Sequence, residues 1–236
     1  MARILTYNVH RCVGTDRRLD VGRVAEVIGA LAPDIVALQE LDVGRARTGG
    51  VDQAHEIARR LDMSFHFHAA LKVEEERYGD AILTRLPERK VRTGPLPGYR
   101  PAPRLEPRGA LWVEVEIEGR PVQILNTHLG LVPREQQLQA EALAGPEWLA
   151  HPDCTGPVIL LGDFNATAAS VVHRTLTRRL KPARPCRRSD RRPPPSPRAC
   201  LSCASTICSS ATRLRSRRCS RPICPSRGRR RITCPW

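Results

Sequence analysis

The first 180 residues lack a long apolar run, a cysteine framework and an excess of charge. They contain no stretch of about 18 apolar residues, which excludes a hydrophobic transmembrane helix. Their only cysteines are Cys12 and Cys154, too few for the disulfide framework of a small secreted domain. Met1 leads into a strand-like segment without the apolar core of a signal peptide. These absences predict a reduced cytoplasmic domain, which we take to be a monomer.

The tail, residues 181–236, lacks histidine, phenylalanine and tyrosine and has a single acidic residue, Asp190. It holds 16 basic residues, nine prolines, nine serines and seven of the nine cysteines, whereas residues 1–180 hold 23 basic and 23 acidic residues. The formal charge of +15 therefore comes from the tail alone. This change of composition predicts one domain at 1–180 and a separate tail at 181–236. The tail has few large apolar residues to offset its ordering entropy, so we expect it to be disordered.

Consecutive apolar residues at 158–161 predict a fully buried strand. A Gly-Asp-Phe-Asn segment follows directly, so Asp163 and Asn165 are expected where that strand leaves the core. Loops at strand ends commonly carry functional groups. A Gly-Asp pair is also typical of an ordinary turn, however, and this segment alone does not decide between the two.

Three further strands are predicted to end on a polar side chain. The strand at 3–9 ends near Asn8, and the apolar run that starts at residue 35 ends on Glu40. An alternating segment at 111–118 turns into a second strand that ends at His128, a pattern typical of an antiparallel hairpin. Each residue also has a simpler interpretation, because a strand-end Glu is often solvated and a lone His is often structural.

Helical patterns are predicted at 20–31, with Asp20 as the N-cap, and at about 52–61 and 134–144. A strand near 64–69 carries His66 and His68 on its polar face, which we predict to be exposed because no third metal ligand accompanies them. A short strand is predicted at 81–83. The proline-rich segment at 95–107 is long enough to line a binding surface.

Together, these strand ends supply the oxygen ligands, carboxylates and imidazole that phosphoester hydrolysis with a hard cation requires. They are Asn8, Glu40, His128, Asp163 and Asn165. In order and spacing they resemble the endonuclease/exonuclease/phosphatase family, which includes deoxyribonuclease I, abasic-site endonucleases, neutral sphingomyelinases and inositol polyphosphate 5-phosphatases. The resemblance covers residues 3 to about 180. It implies a four-layer α/β sandwich (αββα), two mixed sheets flanked by helices, with the active site at one edge.

The resemblance also implies a role for each residue. Glu40 would bind Mg²⁺, or Mn²⁺ in its place, with help from Asn8. Asp163 would orient or deprotonate the attacking water, Asn165 would hold Asp163 or the phosphate, and His128 would donate a hydrogen bond to a phosphate oxygen. The substrate would be a nucleic acid, a phospholipid headgroup or a phosphorylated small molecule, and the sequence does not choose among them.

Two late family motifs, an Arg-Ile-Asp-like strand and a final Ser-Asp-His, are absent from the written tail. When codons are read from their third base, residues 203–211 can encode Arg-Ile-Asp-His-Leu-Phe-Val-Ser, and residues 229–236 can encode Ala-Ser-Asp-His-Leu-Pro-Leu. Both motifs thus appear in one alternate frame and in the right order. We therefore predict a frame shift near residues 181–185 that impairs hydrolysis. The chain also carries His10 where some members have an acid.

A second interpretation treats the basic tail as a natural part of the protein. An Arg-rich disordered arm would bind nucleic acid or another polyanion through its phosphates, without catalysis. Salt-sensitive binding that is lost on deleting residues 181–236, with no hydrolysis under any condition, would favour this function.

Overall fold

The computed structural model describes residues 2–183 and the backbone of residues 207–209, and these form a four-layer sandwich. Two mixed sheets stack face to face, and helices cover the outer face of each sheet. The predicted αββα architecture is confirmed. No described helix combines the length and the apolar character needed to cross a lipid bilayer. The predicted disorder of the tail concerns residues that lie mostly outside the described ones.

The described helices and strands follow the predicted order, but three strands are longer than expected, and one helix and three strands were not predicted. The helices are α1 (Val21–Leu31), α2 (Gln53–Leu61), α3 (Pro133–Ala144) and α4 (Val171–Thr177). The strands are β1 (Ile4–Asn8), β2 (Ile35–Val43), β3 (Ser64–Val73), β4 (Glu76–Thr84), β5 (Glu88–Pro95), β6 (Gly109–Ile117), β7 (Arg120–His128), β8 (Val158–Asp163), β9 (Lys181–Pro182) and β10 (Ile207–Ser209). Asp20 caps α1 as predicted, because its side chain accepts a hydrogen bond from the backbone N–H of Arg23.

The first sheet has the strand order β1-β2-β4-β3, and the second has the order β5-β6-β7-β8-β10-β9. β1 and β2 run parallel, as do β7 and β8, and each pair is joined through a helix. The predicted hairpin is the antiparallel pair β6 and β7. β10, described by its backbone alone, pairs with β8 so that Ile207 lies opposite Leu160.

Three apolar layers hold the sandwich together. Val36, Leu38 and Leu41 of β2 belong to the layer beneath α1 and α2. The layer between the sheets is built from both, and its buried members are Ile35, Ala37, Ile82, Leu111, Val113, Val115, Val122, Ile124 and Leu161. A third layer joins the second sheet to α3 and α4. Each sheet therefore buries both faces, which explains why its central strands read as nearly continuous apolar runs.

The prediction that the second strand ends at Glu40 was wrong, because β2 continues to Val43. The pairing with β4 shifts between Leu38 and Leu41, so that two residues of β2 lie opposite one residue of β4. This is a β-bulge. Glu40 is one of its two residues and adopts the left-handed backbone conformation, with φ 62°. Glu40 thus leaves the sheet from the middle of a strand.

The prediction that His66 and His68 lie on an exposed face was also wrong. Phe65 and Phe67 pack on the helix side of the first sheet, so the histidines face the second sheet instead. His66 contacts Glu88 of β5, a strand that the sequence did not predict. A Cβ on residue 109 of β6, which is a glycine, would lie 2.0 Å from His68 Nε2. The polar face of β3 is therefore half-buried at the edge between the sheets.

Gly162→Ala should destabilise the domain by roughly 2 kcal/mol or more, because a strained backbone conformation alone costs about 1–3 kcal/mol. Gly162 has φ +142°, and a Cβ there would lie 1.9 Å from the carbonyl oxygen of Thr127 on β7. Urea unfolding followed by circular dichroism measures the change. Gly98→Ala is the control, since a Cβ at Gly98 would meet no atom within 4 Å. Equal unfolding midpoints would contradict this close approach of β7 and β8.

Candidate functional site

The structure brings all five predicted side chains to one edge of the sandwich. Asn8 is the last residue of β1, His128 the last of β7 and Asp163 the last of β8, while Asn165 follows β8 by two residues. Glu40 joins them from the bulge in β2. Each side chain contacts at least one of the other four, so the groups form one continuous cluster.

The Asn8 side chain links carboxylates that come from different sheets. Its Nδ2 donates to Glu40 Oε1 at 2.8 Å and to Asp163 Oδ2 at 3.1 Å. Its Oδ1 accepts a hydrogen bond from the backbone N–H of His10 at 3.0 Å, which fixes the orientation of the amide. Asn8 thus holds Glu40 in place, and its Oδ1 keeps a second lone pair.

The bulge in β2 turns two consecutive side chains toward the second sheet. Leu38 and Leu41 both lie in the helix-side layer, so Gln39 and Glu40 between them share the opposite face. In a regular strand, successive side chains alternate between faces. Without the bulge, Glu40 would point toward the helices and away from the cluster.

Asn126 of β7 fills the space that the bulge opens. Its Nδ2 donates to the carbonyl oxygens of Leu38 and Ala81, both at 2.9 Å, and its Oδ1 accepts from Gln39 Nε2 at 2.7 Å. The Asn126 side chain is fully buried between the sheets. These bonds satisfy backbone groups of β2 and β4 beside the bulge, so Asn126 stabilises the strand geometry that carries Glu40.

His128 contacts a buried guanidinium through one of its ring nitrogens. Arg108 Nη1 lies 3.0 Å from His128 Nδ1. A guanidinium only donates, so this contact fits a ring whose Nδ1 accepts, whereas Nε2 lies 3.1 Å from another N–H donor, the side-chain amide nitrogen of Asn165. Burial, followed by the charge of Arg108, lowers the pKa of His128 to about 4. The ring is therefore neutral near pH 7, and its Nε2 lies 3.9 Å from Glu40 Oε1.

Asp163 and Asn165 form a tight turn at the end of β8. The backbone N–H of Asn165 donates to Asp163 Oδ1 at 3.0 Å, and Asn165 adopts φ 47°. Its Nδ2 lies 3.1 Å from His128 Nε2 and donates to the carbonyl oxygen of Leu129 at 2.9 Å. Gln136 of α3 donates to the Asn165 carbonyl at 2.8 Å. Both Asp163 oxygens thus accept hydrogen bonds that fix the carboxylate.

Sequence reasoning missed two charged residues of this cluster, Arg108 and Asp80. The hairpin register pairs Ala110 with Thr127, so Arg108 lies beside His128, and the predicted hairpin contained this signal. Asp80 lies opposite the bulge and is 3% exposed. Burial raises its pKa to about 7, although the charge of Arg108 and the backbone N–H of Glu40 oppose that shift. A charged residue directly before the apolar run at 81–83 was the available signal.

The cluster offers few groups that could hold a metal ion. Within residues 2–183, no three His, Cys, Asp or Glu side chains are arranged as a metal site. Glu40 is the accessible carboxylate, with 16% of its side chain exposed, and His10 Nδ1 lies 3.2 Å from its Oε2. Mg²⁺ retains several waters and is often held by one or two carboxylates. The donor set therefore fits a largely hydrated Mg²⁺ at Glu40 better than it fits an ion enclosed by protein ligands.

Comparisons with known proteins agree on one family. A model of the Endonuclease/Exonuclease/phosphatase family matches residues 5–228. The uncharacterized protein YbhP of Escherichia coli is 25% identical over 174 residues, which are 69% of this chain and 66% of YbhP. The match thus spans just under two thirds of that relative.

Solved structures with a similar fold include two bacterial proteins. One is an endonuclease/exonuclease/phosphatase from Beutenbergia cavernae, with TM-score 0.62 and 25% identity, matched over 77% of this chain and 54% of that one. The other is a mannosyl-6-phosphatase from Bacteroides thetaiotaomicron, with TM-score 0.62 and 16% identity, matched over 77% of this chain and 73% of that one. The chain spans about half the length of the first structure.

Asn126→Leu should lower the free energy of unfolding by about 2–4 kcal/mol, since each buried carbonyl left without a donor costs about 1–3 kcal/mol. The backbone amide resonance of Glu40 should also shift in an NMR spectrum, because the bulge loses its support. Gln123→Leu is the matched control. Gln123 is another buried amide of β7, but it bonds Trp112 and Glu114 away from the cluster. If Asn126→Leu left the Glu40 resonance unmoved, the bulge would not depend on Asn126.

Proposed function

The chain belongs to the endonuclease/exonuclease/phosphatase family, and on that basis we propose that it is a divalent-metal-dependent hydrolase of phosphoester bonds. Family membership supports phosphoester hydrolysis in general. One observation carries the finer proposal. The amide of Asn8 holds Glu40 and Asp163 beside the neutral imidazole of His128. This arrangement combines a site for a hard cation, a general base and a hydrogen-bond donor within one cleft.

Asp163 is the proposed general base. Its carboxylate is fixed by Asn8 and by the backbone of Asn165, so it has one orientation toward the cleft. A water placed beside it would transfer a proton to it while the water oxygen forms a bond to phosphorus. The bond from phosphorus to the leaving oxygen breaks on the opposite side. A fixed base of this kind typically contributes about 10²–10⁴ to the rate.

His128 is the proposed donor to a phosphate oxygen on which negative charge develops. The contact of Nδ1 with Arg108 supports a proton on Nε2, the ring nitrogen that lies 3.9 Å from Glu40 Oε1. The low pKa of His128 means that the ring donates as a neutral group near pH 7. A donor held in place before the reaction stabilises the transition state without reorganisation.

Glu40 is the proposed ligand of Mg²⁺, or of Mn²⁺ in its place. A bound ion would polarise a phosphoryl oxygen and neutralise charge at the phosphate. Asn8 is proposed to help bind the ion through its Oδ1, while its Nδ2 orients Glu40 by donating to Oε1. The substrate is proposed to be a phosphoester of a nucleic acid, a lipid headgroup or a small molecule.

The tail is proposed to be an out-of-frame translation. Its 16 basic residues and single acid differ sharply from the balanced charges of residues 1–180, and one alternate frame contains both late family motifs. The family match nevertheless extends to residue 228, within the tail. The second candidate function, polyanion binding through a natural basic tail, is favoured by the charge of +15.

Glu40→Gln, in a protein whose frame is restored near residue 183, should raise the Mg²⁺ concentration for half-maximal hydrolysis by about tenfold or more. A neutral amide binds a hard dication more weakly than a carboxylate does. The measurement is a Mg²⁺ titration of phosphodiester cleavage. Glu26→Gln, on the exposed side of α1, is the control. An unchanged Mg²⁺ requirement in Glu40→Gln would remove Glu40 from the metal site.

The chain as written should hydrolyse a generic phosphodiester far more slowly than the frame-restored protein. The written tail lacks the late Asp and Asp-His motifs, and losing such groups costs several powers of ten in rate.

Asp163→Asn in the restored protein should lower turnover by roughly 10²–10⁴ with little effect on binding. Cleavage of bis(p-nitrophenyl) phosphate, followed spectroscopically, compares the three proteins.

Two outcomes of that comparison would contradict the proposals. Equal activity of the written and restored proteins would refute the frame shift. Absence of hydrolysis in both, with salt-sensitive binding of a polyanion to the written chain alone, would favour the binding function.

A further inference from the structure

His10 lies beside Glu40 on the solvent side of the cluster. Its Nδ1 is 3.2 Å from Glu40 Oε2, the oxygen that the Asn8 side chain leaves unbonded when it donates to Oε1. The His10 side chain is 62% exposed and that of Glu40 is 16% exposed, so water reaches the place where they meet. Asn8 Oδ1 is also close, because it accepts from the backbone N–H of His10 at 3.0 Å.

The chain brings His10 to this position on a left-handed turn. His10, Arg11 and Cys12 have φ values of 46°, 59° and 58°, in a region that is unfavourable for residues with a Cβ. Glu40, on the other side of the contact, has φ 62°. Strained backbone of this kind persists only where the surroundings hold it, and it clusters at functional sites.

Gln53 of α2 holds the turn against the strand that carries Glu40. Its Nε2 donates to the carbonyl oxygen of Arg11 at 2.7 Å, and its Oε1 accepts from the backbone N–H of Asp42 at 2.9 Å. The Gln53 side chain is fully buried. Asp42 follows Glu40 by two residues on β2, so one buried amide fixes the backbone beside His10 relative to the backbone beside Glu40.

The separation of the two side-chain atoms suits a pair of ligands to one ion. Ligand atoms at about 2.0–2.2 Å from a dication lie about 2.9–3.4 Å apart in octahedral or tetrahedral geometry. His10 Nδ1 and Glu40 Oε2 are 3.2 Å apart. A neutral imidazole with its proton on Nε2 offers the Nδ1 lone pair to an ion. A hydrogen bond spans the same distance, so a measurement of nitrogen coordination has to separate the two interactions.

We propose that His10 is a ligand, through Nδ1, of the divalent ion at Glu40, and that this nitrogen makes the site prefer a transition-metal dication such as Mn²⁺ to Mg²⁺. Mg²⁺ takes oxygen ligands and loses water reluctantly, whereas imidazole suits first-row transition metals. This inference rests on the proposed metal-dependent hydrolysis and narrows the class of ion that the site uses.

Electron spin-echo spectroscopy of the unaltered full chain with Mn²⁺ provides the first test. A coordinated imidazole adds a nitrogen modulation to the Mn²⁺ echo. We expect this modulation in the unaltered chain and in His55→Ala, which changes an exposed histidine of α2, and we expect its loss in His10→Ala. The tail has no histidine, so the modulation reports on residues 1–180. Modulation that persists in His10→Ala, or none in the unaltered chain, overturns the proposal.

Affinities for the two ions provide the second test. The resonance of free Mn²⁺ measures Mn²⁺ binding, and competition measures Mg²⁺ binding. His10→Ala should weaken Mn²⁺ binding by roughly tenfold or more, as losing a group that supports a metal site typically does. Mg²⁺ binding should weaken by less than about threefold, because water replaces the lost ligand. His10→Asp supplies an oxygen ligand and should strengthen Mg²⁺ binding, so that the preference for Mn²⁺ falls.

Three results of these titrations would contradict the assignment. One is an equal loss of both affinities in His10→Ala at an unchanged melting temperature. The second is an undiminished preference for Mn²⁺ in His10→Asp. The third is a loss of Mn²⁺ affinity in the control, His55→Ala, as large as that in His10→Ala.

The proposed reaction and the proposed ligand fail in different ways. Nitrogen coordination of Mn²⁺ by His10, without hydrolysis of any phosphoester by the frame-restored protein, would refute the reaction and leave the ligand in place. Metal-dependent hydrolysis of bis(p-nitrophenyl) phosphate without nitrogen coordination would refute the role of His10 alone.

Discussion

The amide of Asn126 is the contact on which the arrangement of the cleft depends. It reaches from the second sheet into the first and donates to the carbonyls of Leu38 and Ala81, which flank the bulge. Between two apolar sheet faces no water is available to satisfy those groups, so an unpaired carbonyl there would be costly. By donating to these carbonyls, the Asn126 amide lowers the free-energy cost of a bulge in the core. The bulge in turn brings Glu40 from the middle of a strand to the edge where the five polar side chains cluster.

The cleft concentrates negative charge that the chain only partly compensates. Glu40 and Asp163 come from different sheets but lie within hydrogen-bond distance of one nitrogen of Asn8. Arg108 lies beside His128 and acts on Asp80, but it is already paired with Glu106, whose Oε1 lies 2.7 Å from its Nη1. Burial keeps His128 neutral. A bound dication would therefore complete the charge balance, and one accessible carboxylate is enough to anchor it.

Much of the candidate site was predictable because apolar runs end where its polar side chains begin. Asn8, His128 and Asp163 each close a strand, and the hydrophobic pattern shows where those strands stop. Glu40 was identified correctly as a member of the cluster, but for the wrong reason. The pattern alone places a strand end there, whereas β2 continues through a bulge. Only the consecutive polar pair Gln39 and Glu40 inside an apolar run hinted at that irregularity.

Other features depend on contacts between sheets, which local patterns do not encode. The alternation of β3 was predicted correctly, but the exposure of its polar face was not, because His66 and His68 face a second sheet and not solvent. Asp80 and Glu135 are likewise charged residues whose burial follows from distant elements. Secondary-structure propensity and hydrophobic periodicity describe only one segment at a time. Whether its polar face meets water or another sheet is decided by the packing of the whole domain.

The tail poses a different problem, because backbone pairing does not depend strongly on side-chain identity. The backbone of residues 207–209 pairs with β8, the strand that ends in Asp163, so a segment of the tail borders the proposed base. Ladder hydrogen bonds use only N–H and C=O groups, which every residue except proline supplies in full. A strand in this position is therefore compatible with the written sequence and with the alternate frame. Catalysis discriminates between them where pairing does not, because only the alternate frame supplies the late Asp and His side chains.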